Sequence, residues 1–258
     1  MGIVGDLVNR LDVAGTMAAC MVAGMPTTML FPPLPVTLLL TRRYGREDQL
    51  QRWHNMIPWA RLCARTLLGM NISRVGAENL PSPSRGHMYV CNHQSYVDIL
   101  VLMDTLETAA FLSKSEILFL PVLGPTAYAG GTVFVWRRDK ASRQKALENT
   151  IRMCRDSTAV VLFPEGTRSA DGALSEKVHP RGLVAAREAG LRVVPVGLDG
   201  AGRAVPKGNY RVNRGQHVAV TIGEALDPRD FDTDEAWVDA IWTQVRALFE
   251  QSRARALG

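Results

Sequence analysis

Two patterns of apolar positions alternate along the chain after residue 86. Short runs rich in β-branched and aromatic residues predict strands at residues 88–91, 110–112, 132–136, 159–163, 192–196 and 217–222. Between most of these runs, apolar residues recur every three or four positions and predict helices at residues 97–105, 141–154, 182–189 and 234–253. Because strand–helix alternation is typical of α/β proteins, we predict an α/β fold, a layered mixed sheet flanked by helices.

The N-terminal part of the chain has a different pattern. Residues 13–41 include no charged side chain, and about 20 apolar residues are enough to cross a bilayer. Four prolines interrupt this run and favour a broken or re-entrant hairpin over one straight helix: Pro26, Pro32, Pro33 and Pro35. A buried hairpin in a soluble core is the alternative interpretation.

Residues 46–70 have the pattern of an amphipathic helix that Pro58 kinks or restarts. One apolar face is formed by Leu50, Trp53, Ile57, Ala60, Ala64 and Leu67. A basic amphipathic helix with tryptophans is typical of a membrane interface, and packing against the α/β domain is the alternative. The chain thus divides into an N-terminal membrane-associating helical segment, residues 1–75, and an α/β domain, residues 76–258, with a Pro/Ser/Gly-rich turn at residues 81–86.

Composition restricts the partners and the location. The chain has 258 residues, 47% of them hydrophobic, and a formal net charge of +5, which suits an anionic surface or anionic substrates. The four cysteines and five histidines show no metal-ligand spacing, so we expect no metal site. Arg42, Arg43 and Arg46 follow the uncharged run, and this bias predicts the cytoplasmic face of the inner (plasma) membrane. We expect membrane lipids as partners and no nucleic acid.

The stretch "CNHQSYVDIL" carries candidate chemistry where a predicted strand meets a predicted helix. His93 lies in the connecting loop, five residues before Asp98. Ser95 and Asp98 have the spacing of a capping box, so the first helical turn is expected to begin at Ser95. A loop that bends back lets the Asp98 carboxylate meet the His93 ring. The alternative is that Asp98 only caps the helix and His93 is a polar loop residue.

Two further predicted strands end in polar residues. "GTVFVWRRD" ends with Arg137 and Arg138, and "VVLFPEGTRSADG" continues into a loop that carries Glu165, Gly166, Thr167 and Arg168. Open α/β sheets bind ligands outside the carboxyl ends of their strands. Histidine suits proton abstraction near neutral pH, arginines bind phosphate, and Gly166 permits close backbone approach. The three loops therefore predict a general base beside an anion pocket.

The motifs "NHQSYVD", "GTVFVWR", "FPEGTRS" and "VVPVGLDG" occur in the order of the four blocks of the glycerolipid acyltransferases. The chain resembles this family over residues 76–200, most of all its bacterial 1-acylglycerol-3-phosphate acyltransferases. The resemblance implies that His93 and Asp98 form the catalytic pair. It also places Gly131, Phe134, Arg137, Glu165, Gly166, Arg168 and Pro195 on motif positions. The stretch "SEKVHPRG" departs from the family pattern, so Lys177 is assigned no role.

The resemblance implies transfer of an acyl group from a thioester, acyl-CoA or acyl-carrier protein, to the sn-2 hydroxyl of lysophosphatidate, forming phosphatidate in phospholipid synthesis. His93 would act as base and Asp98 would orient it. Arg137, Glu165, Gly166, Thr167 and Arg168 would bind substrate, with no cofactor besides the thioester co-substrate. The alternatives are an acyltransferase for another lysolipid, such as lyso-ornithine lipid, and a non-catalytic protein that binds anionic lipid.

One further basic stretch, "RAVPKGNYRVNRG", includes four cationic residues and no acid. It could contact the phosphates of coenzyme A or an acidic carrier protein. A solvated loop is the alternative interpretation, because runs of like charge are usually solvated.

Overall fold

The structure, a computed structural model, describes residues 57–106, 109–119, 131–208 and 212–258, together with the single residues Gly15, Ala18, Gly124, Ala127 and Tyr128. Apart from Gly15 and Ala18, the predicted hairpin at residues 13–41 lies outside the described residues, as does the part of the amphipathic segment before residue 57. Within the described ranges, no helix has both the length and the apolar content needed to cross a bilayer.

The centre of the fold is a seven-stranded mixed sheet, which confirms the predicted fold class. Its strands are β1 (Asn71–Val75), β2 (His87–Cys91), β3 (Ala109–Lys114), β4 (Val133–Val135), β5 (Ala159–Leu162), β6 (Arg192–Asp199) and β7 (His217–Ile222). Their order in space is β1-β7-β6-β2-β5-β3-β4. The β6–β7 pair is antiparallel and the other neighbouring pairs are parallel. The carboxyl ends of β2 to β6 therefore point to the same edge of the sheet.

Strand β1 was not among the predicted strands. It lies at the edge of the sheet next to β7, and most of its residues are exposed or only partly buried. It therefore lacks the apolar run by which the other strands were predicted. It precedes the boundary predicted at residue 76, so the sheet begins before that boundary. The division of the chain into two domains otherwise stays a prediction.

The described α-helices after β1 are α1 (Asp98–Leu106), α2 (Lys140–Asp156), α3 (Arg181–Glu188), α4 (Ala201–Ala204) and α5 (Asp234–Leu257). Short 3-10 turns lie at Ala77–Asn79, Ser115–Phe119 and Pro228–Asp230. The four predicted helices are present to within a few residues at each end. Helix α4 was not predicted because a single turn is too short to show a helical period.

Side chains from both faces of the sheet form the core. In β2, Tyr89 and Cys91 face one apolar cluster while Met88 and Val90 face another, so both faces of the strand are covered. This is why the strand is apolar at successive positions instead of every second one. Helix α5 contributes Trp237, Ile241 and Val245 to the second cluster, and Trp237 is fully buried.

The described end of the amphipathic segment contacts α1 through an ion-paired cluster. Residues 57–61 are helical and continue past Pro58 into a π-helical stretch, Leu62–Leu67. Arg61 and Arg65 donate through their Nε atoms to the two oxygens of the buried Asp104 carboxylate, at 2.6 and 2.7 Å. Packing against the α/β domain, one of the two interpretations of this segment, therefore holds for residues 57–67. Its place at a membrane interface stays a prediction.

Candidate active site

The loop between β2 and α1 is tied to the end of the neighbouring strand β6. The Asn92 side chain donates to the backbone oxygen of Leu198 and accepts from its N–H, both at 2.8 Å. Gln94 Nε2 donates to Asp199 Oδ1 at 2.9 Å. These buried contacts fix the backbone on both sides of His93, so its ring is held at the carboxyl edge of the sheet.

The structure brings the predicted pair together. His93 Nδ1 lies 2.7 Å from Asp98 Oδ2, and the same oxygen accepts the backbone N–H groups of Gln94 and Ser95 at 2.7 and 2.9 Å. The Asp98 side chain is fully buried. A carboxylate accepts hydrogen bonds, so Nδ1 carries the hydrogen and Nε2 has a free lone pair in the neutral ring. No described residue bonds Nε2, and the ring retains 18% exposure.

Helix α1 begins at Asp98 and not at Ser95, which corrects the sequence prediction. The Asp98 carboxylate turns back to the N–H groups before it, so the chain passes through a turn at residues 96–97 before the helix starts. The Ser95 hydroxyl donates to the backbone oxygen of Val205 at 2.7 Å and is fully buried. Ser95 is therefore not available as a nucleophile.

Two residues that follow β5, Phe163 and Glu165, also contact His93. Phe163 stacks on the imidazole with ring centroids 4.2 Å apart and planes inclined by 19°. Glu165 accepts the His93 N–H on Oε1 at 2.7 Å and the Ser175 N–H on Oε2 at 3.2 Å. Burial raises the pKa of Glu165 above its usual value, although these two N–H groups oppose the rise. Since both oxygens bind backbone, the geometry favours a positioning role over the predicted substrate contact.

The predicted arginines lie at the same edge. Arg137, which follows β4, donates from Nη1 to the backbone oxygen of Gly166 at 2.9 Å. The Arg168 guanidinium lies 3.5 Å from the centroid of the Tyr96 ring. Neither guanidinium pairs with a carboxylate of a described residue, so both charges are uncompensated there. Such charges suit a bound anion, and arginine binds phosphate with paired hydrogen bonds.

Gly166 and Thr167, directly before Arg168, lie in a tight turn. Gly166 has φ +65°, and a Cβ atom there would come within 2.8 Å of the His179 ring. The glycine predicted to allow a close approach thus admits a neighbouring side chain of this protein. Thr167 is exposed, and its hydroxyl accepts a 3.4 Å hydrogen bond from Lys207 Nζ.

Two residues at this site, Phe163 and Lys207, were not predicted as site residues from the sequence. Phe163 ends an apolar strand immediately before the "PEG" of the third motif, and that position was the available signal. Lys207 also donates to the backbone oxygen of Arg168 at 2.7 Å. It belongs to the basic stretch whose function was left open. No group of three potential metal ligands occurs among the described residues.

One known protein family matches the part of the chain that carries these residues. Residues 71–199 match the model of the family described as Acyltransferase. The chain belongs to this family. The resemblance inferred from the four motifs is therefore confirmed at the level of the family.

Individual relatives are similar over most of the chain. A 1-acyl-sn-glycerol-3-phosphate acyltransferase of Chlamydomonas reinhardtii is 33% identical over 202 residues, 78% of this chain and 58% of the relative. A lyso-ornithine lipid O-acyltransferase of Pseudomonas aeruginosa is 32% identical over 164 residues, 62% of this chain and 57% of the relative. The chain thus spans less than two thirds of the length of these curated relatives.

The fold resembles a solved structure of the same family. The crystal structure of PlsC, the 1-acyl-sn-glycerophosphate acyltransferase of Thermotoga maritima, superposes with a TM-score of 0.73 at 25% identity. The similarity covers 92% of this chain and 96% of that one.

Proposed function

We propose that the protein transfers an acyl group from a thioester to the sn-2 hydroxyl of lysophosphatidate, forming phosphatidate. The observation that carries the proposal is the 2.7 Å contact between His93 and buried Asp98, with Nε2 left free. Two uncompensated guanidinium groups at the same edge supply a phosphate site. The names of the relatives and of the solved structure support the same reaction.

The proton transfer follows from the hydrogen bonds of the ring. Nε2 of His93 takes the proton of the acceptor hydroxyl as that oxygen attacks the thioester carbonyl carbon. The tetrahedral intermediate then collapses, the C–S bond breaks, and the departing sulfur takes the proton from the imidazolium. Asp98 holds the tautomer and stabilises the positive ring, as in a Ser-His-Asp triad whose hydroxyl is supplied by the substrate.

The backbone limits where the oxyanion is stabilised. The N–H groups of Gln94 and Ser95 are bonded to Asp98, and the N–H of Val97 approaches the Ser95 hydroxyl at 3.4 Å. These three N–H groups are therefore not available to stabilise an oxyanion. The reaction as written needs no cofactor beyond the thioester.

A second acceptor is a lyso-ornithine lipid, because one relative is named for that activity. Such an acceptor has no phosphate, and a phosphate offers Arg137 and Arg168 more acceptor oxygens than a single carboxylate does. We therefore favour lysophosphatidate. We further propose acyl-CoA or acyl-carrier protein as donor, membrane lipids as partners, and the cytoplasmic face of the inner membrane as the location, on the basis of the N-terminal sequence pattern.

The test is an assay of the full chain with vesicle-borne lysolipids and a thioester donor. His93→Ala should lower turnover at least about 10²-fold, the lower end for a general base. His87→Ala is the matched control, because His87 begins β2 at the opposite edge of the sheet. A folded His93→Ala protein with near-normal turnover contradicts the mechanism, and preference for lyso-ornithine lipid contradicts the acceptor. Vesicle binding by a wild-type protein without turnover favours the non-catalytic alternative.

The phosphate assignment has its own test. Arg137→Lys should raise the KM for lysophosphatidate, because an ammonium group cannot make the forked contact of a guanidinium. The KM for the thioester should change little. If the thioester KM rises instead, Arg137 belongs to the donor site.

A further inference from the structure

Acyl transfer needs two substrates to reach the same histidine, and the sheet order shows where each can approach. Along the carboxyl edge the order is β6, β2, β5, β3, β4. His93 follows β2, and Arg137 follows β4 on one flank. The opposite flank is the end of β6 at Asp199. An acceptor held near Arg137 leaves the β6 flank for the second substrate.

A cavity of about 550 Å³ lies on that flank. Gln94 and Ser169 line it, and both adjoin the backbone of His93: Gln94 follows it in sequence, and the Ser169 N–H donates to the His93 backbone oxygen at 2.8 Å. Ligand pockets usually have volumes of roughly 300–1,000 Å³. The cavity is thus large enough for an elongated ligand and begins beside the catalytic loop.

The charged side chains that line the cavity differ in how they are bound. Arg203 is ion-paired with Asp199 at 2.7 Å, and this pair is neutral. Lys207 donates to uncharged oxygens, and Arg253 has no carboxylate partner among the described residues. Asp171 accepts hydrogen bonds from a hydroxyl and a backbone N–H that lower its pKa, so it stays ionised. Among the described residues that line the cavity, two cations without a carboxylate partner and one carboxylate leave a net positive charge.

We propose that this cavity binds the phosphopantetheine arm of the thioester donor, with its phosphate near Arg253 and Lys207. This inference rests on the proposed function. Acyl-CoA and acyl-carrier protein both present the acyl group on this arm, which has a phosphate at one end and the sulfur at the other. Gln94 and Ser169 make the cavity polar on the side of the loop that carries His93. The arm then leads the thioester from the β6 flank to His93.

The first test measures binding without turnover. Coenzyme A, 4′-phosphopantetheine and pantetheine are titrated calorimetrically into the full chain. Arg253→Glu should weaken binding of the two phosphorylated probes at least about fivefold, because reversing a charge replaces attraction by repulsion. It should leave pantetheine unchanged. Arg246→Glu is the matched control, since Arg246 is exposed on the same helix and does not line the cavity.

The outcomes separate the possible ligands. A loss confined to coenzyme A means that Arg253 contacts the nucleotide phosphates, and an equal loss in Arg246→Glu means that the effect is general electrostatics; either result overturns the proposal. An unchanged melting temperature of Arg253→Glu shows that the variant is folded, and Arg253→Ala should give a smaller loss of the same kind.

The second test measures turnover with each donor. Arg253→Glu should raise the KM for acyl-CoA and for acyl-carrier protein, with the lysophosphatidate KM unchanged. A rise for acyl-carrier protein alone indicates docking of the carrier surface, and a rise in the lysophosphatidate KM makes the cavity the acceptor site; both overturn the proposal. A wild-type protein that binds 4′-phosphopantetheine but transfers no acyl group contradicts the proposed function and leaves this site standing.

Discussion

Replacing Asp98 by asparagine tests how the His93 tautomer is set. Asparagine has the same shape, but its NH₂ group could donate to His93 and reverse the tautomer, which in a Ser-His-Asp triad lowers kcat by about 10⁴. In this protein, Asp98 Oδ2 also accepts hydrogen bonds from the backbone N–H groups of Gln94 and Ser95. An NH₂ group there would face two donors at 2.7 and 2.9 Å. The amide oxygen should therefore occupy this position and keep hydrogen on Nδ1.

The expected decrease in kcat then reflects only the loss of the negative charge of Asp98. A hydrogen bond to a charged group contributes about 1.5–3 kcal/mol, against about 0.5–1.5 kcal/mol for a neutral one. The difference of about 1–2 kcal/mol corresponds to a roughly 5–30-fold lower kcat. Asp98→Ala should lose far more, because it also leaves both backbone N–H groups without their acceptor.

Steady-state kcat with lysophosphatidate and an acyl thioester measures the loss. Nitrogen-15 NMR of the His93 ring in the Asp98→Asn protein reports the tautomer directly. A decrease near 10⁴-fold, together with hydrogen on Nε2, would refute the reasoning. It would mean that the two backbone N–H groups do not determine the orientation of the amide.

Three further predictions follow from buried groups and from one turn. Because burial raises the pKa of Glu165, the folded protein binds more protons than the unfolded chain between the two pKa values. Stability should fall as pH rises through that window, by up to about 1.4 kcal/mol per pH unit, and denaturant titrations of Glu165→Gln should lack this slope. Burial also raises the pKa of Cys91 and raises that of Cys154 to about 12. Because the thiolate is the reactive form, iodoacetamide at pH 8 should label neither cysteine until urea unfolds the protein, and peptide mass spectrometry measures the labelling. Gly166→Ala should lower the melting temperature more than Gly172→Ala, since both glycines have positive φ but only the first Cβ meets another residue.

The sequence was sufficient to predict most of the sheet and the contact between His93 and Asp98. Apolar runs such as "HMYVC" are uninterrupted because both faces of β2 are covered, so the strand and the polar loop after it were visible. His93 and Asp98 are close in sequence, and a turn between strand and helix is enough to bring their side chains together. The motif around Glu165 could be predicted because it too is a polar loop that follows an uninterrupted apolar strand.

Contacts between distant parts of the chain were not predictable in this way. The partners of Gln94 and Ser95 are Asp199 and Val205, more than 100 residues further on. Whether the Ser95 hydroxyl caps a helix or bonds a remote carbonyl depends on where α4 and its following loop pack. The assignment of Glu165 to the His93 backbone has the same origin, because local spacing cannot distinguish a substrate ligand from a support of the base.

The contact of Arg61 and Arg65 with Asp104 has a consequence for protein engineering. Helix α1 begins at Asp98, which orients the base, and includes near its other end Asp104, which is bound by residues that precede the sheet. A chimaera that exchanges the N-terminal segment with that of a relative therefore has a natural junction before residue 57 and not at the start of β1. A junction at β1 would leave a buried carboxylate without its cations at the far end of the helix that begins with Asp98. Grafts made there should lose activity even when the new segment is otherwise well folded.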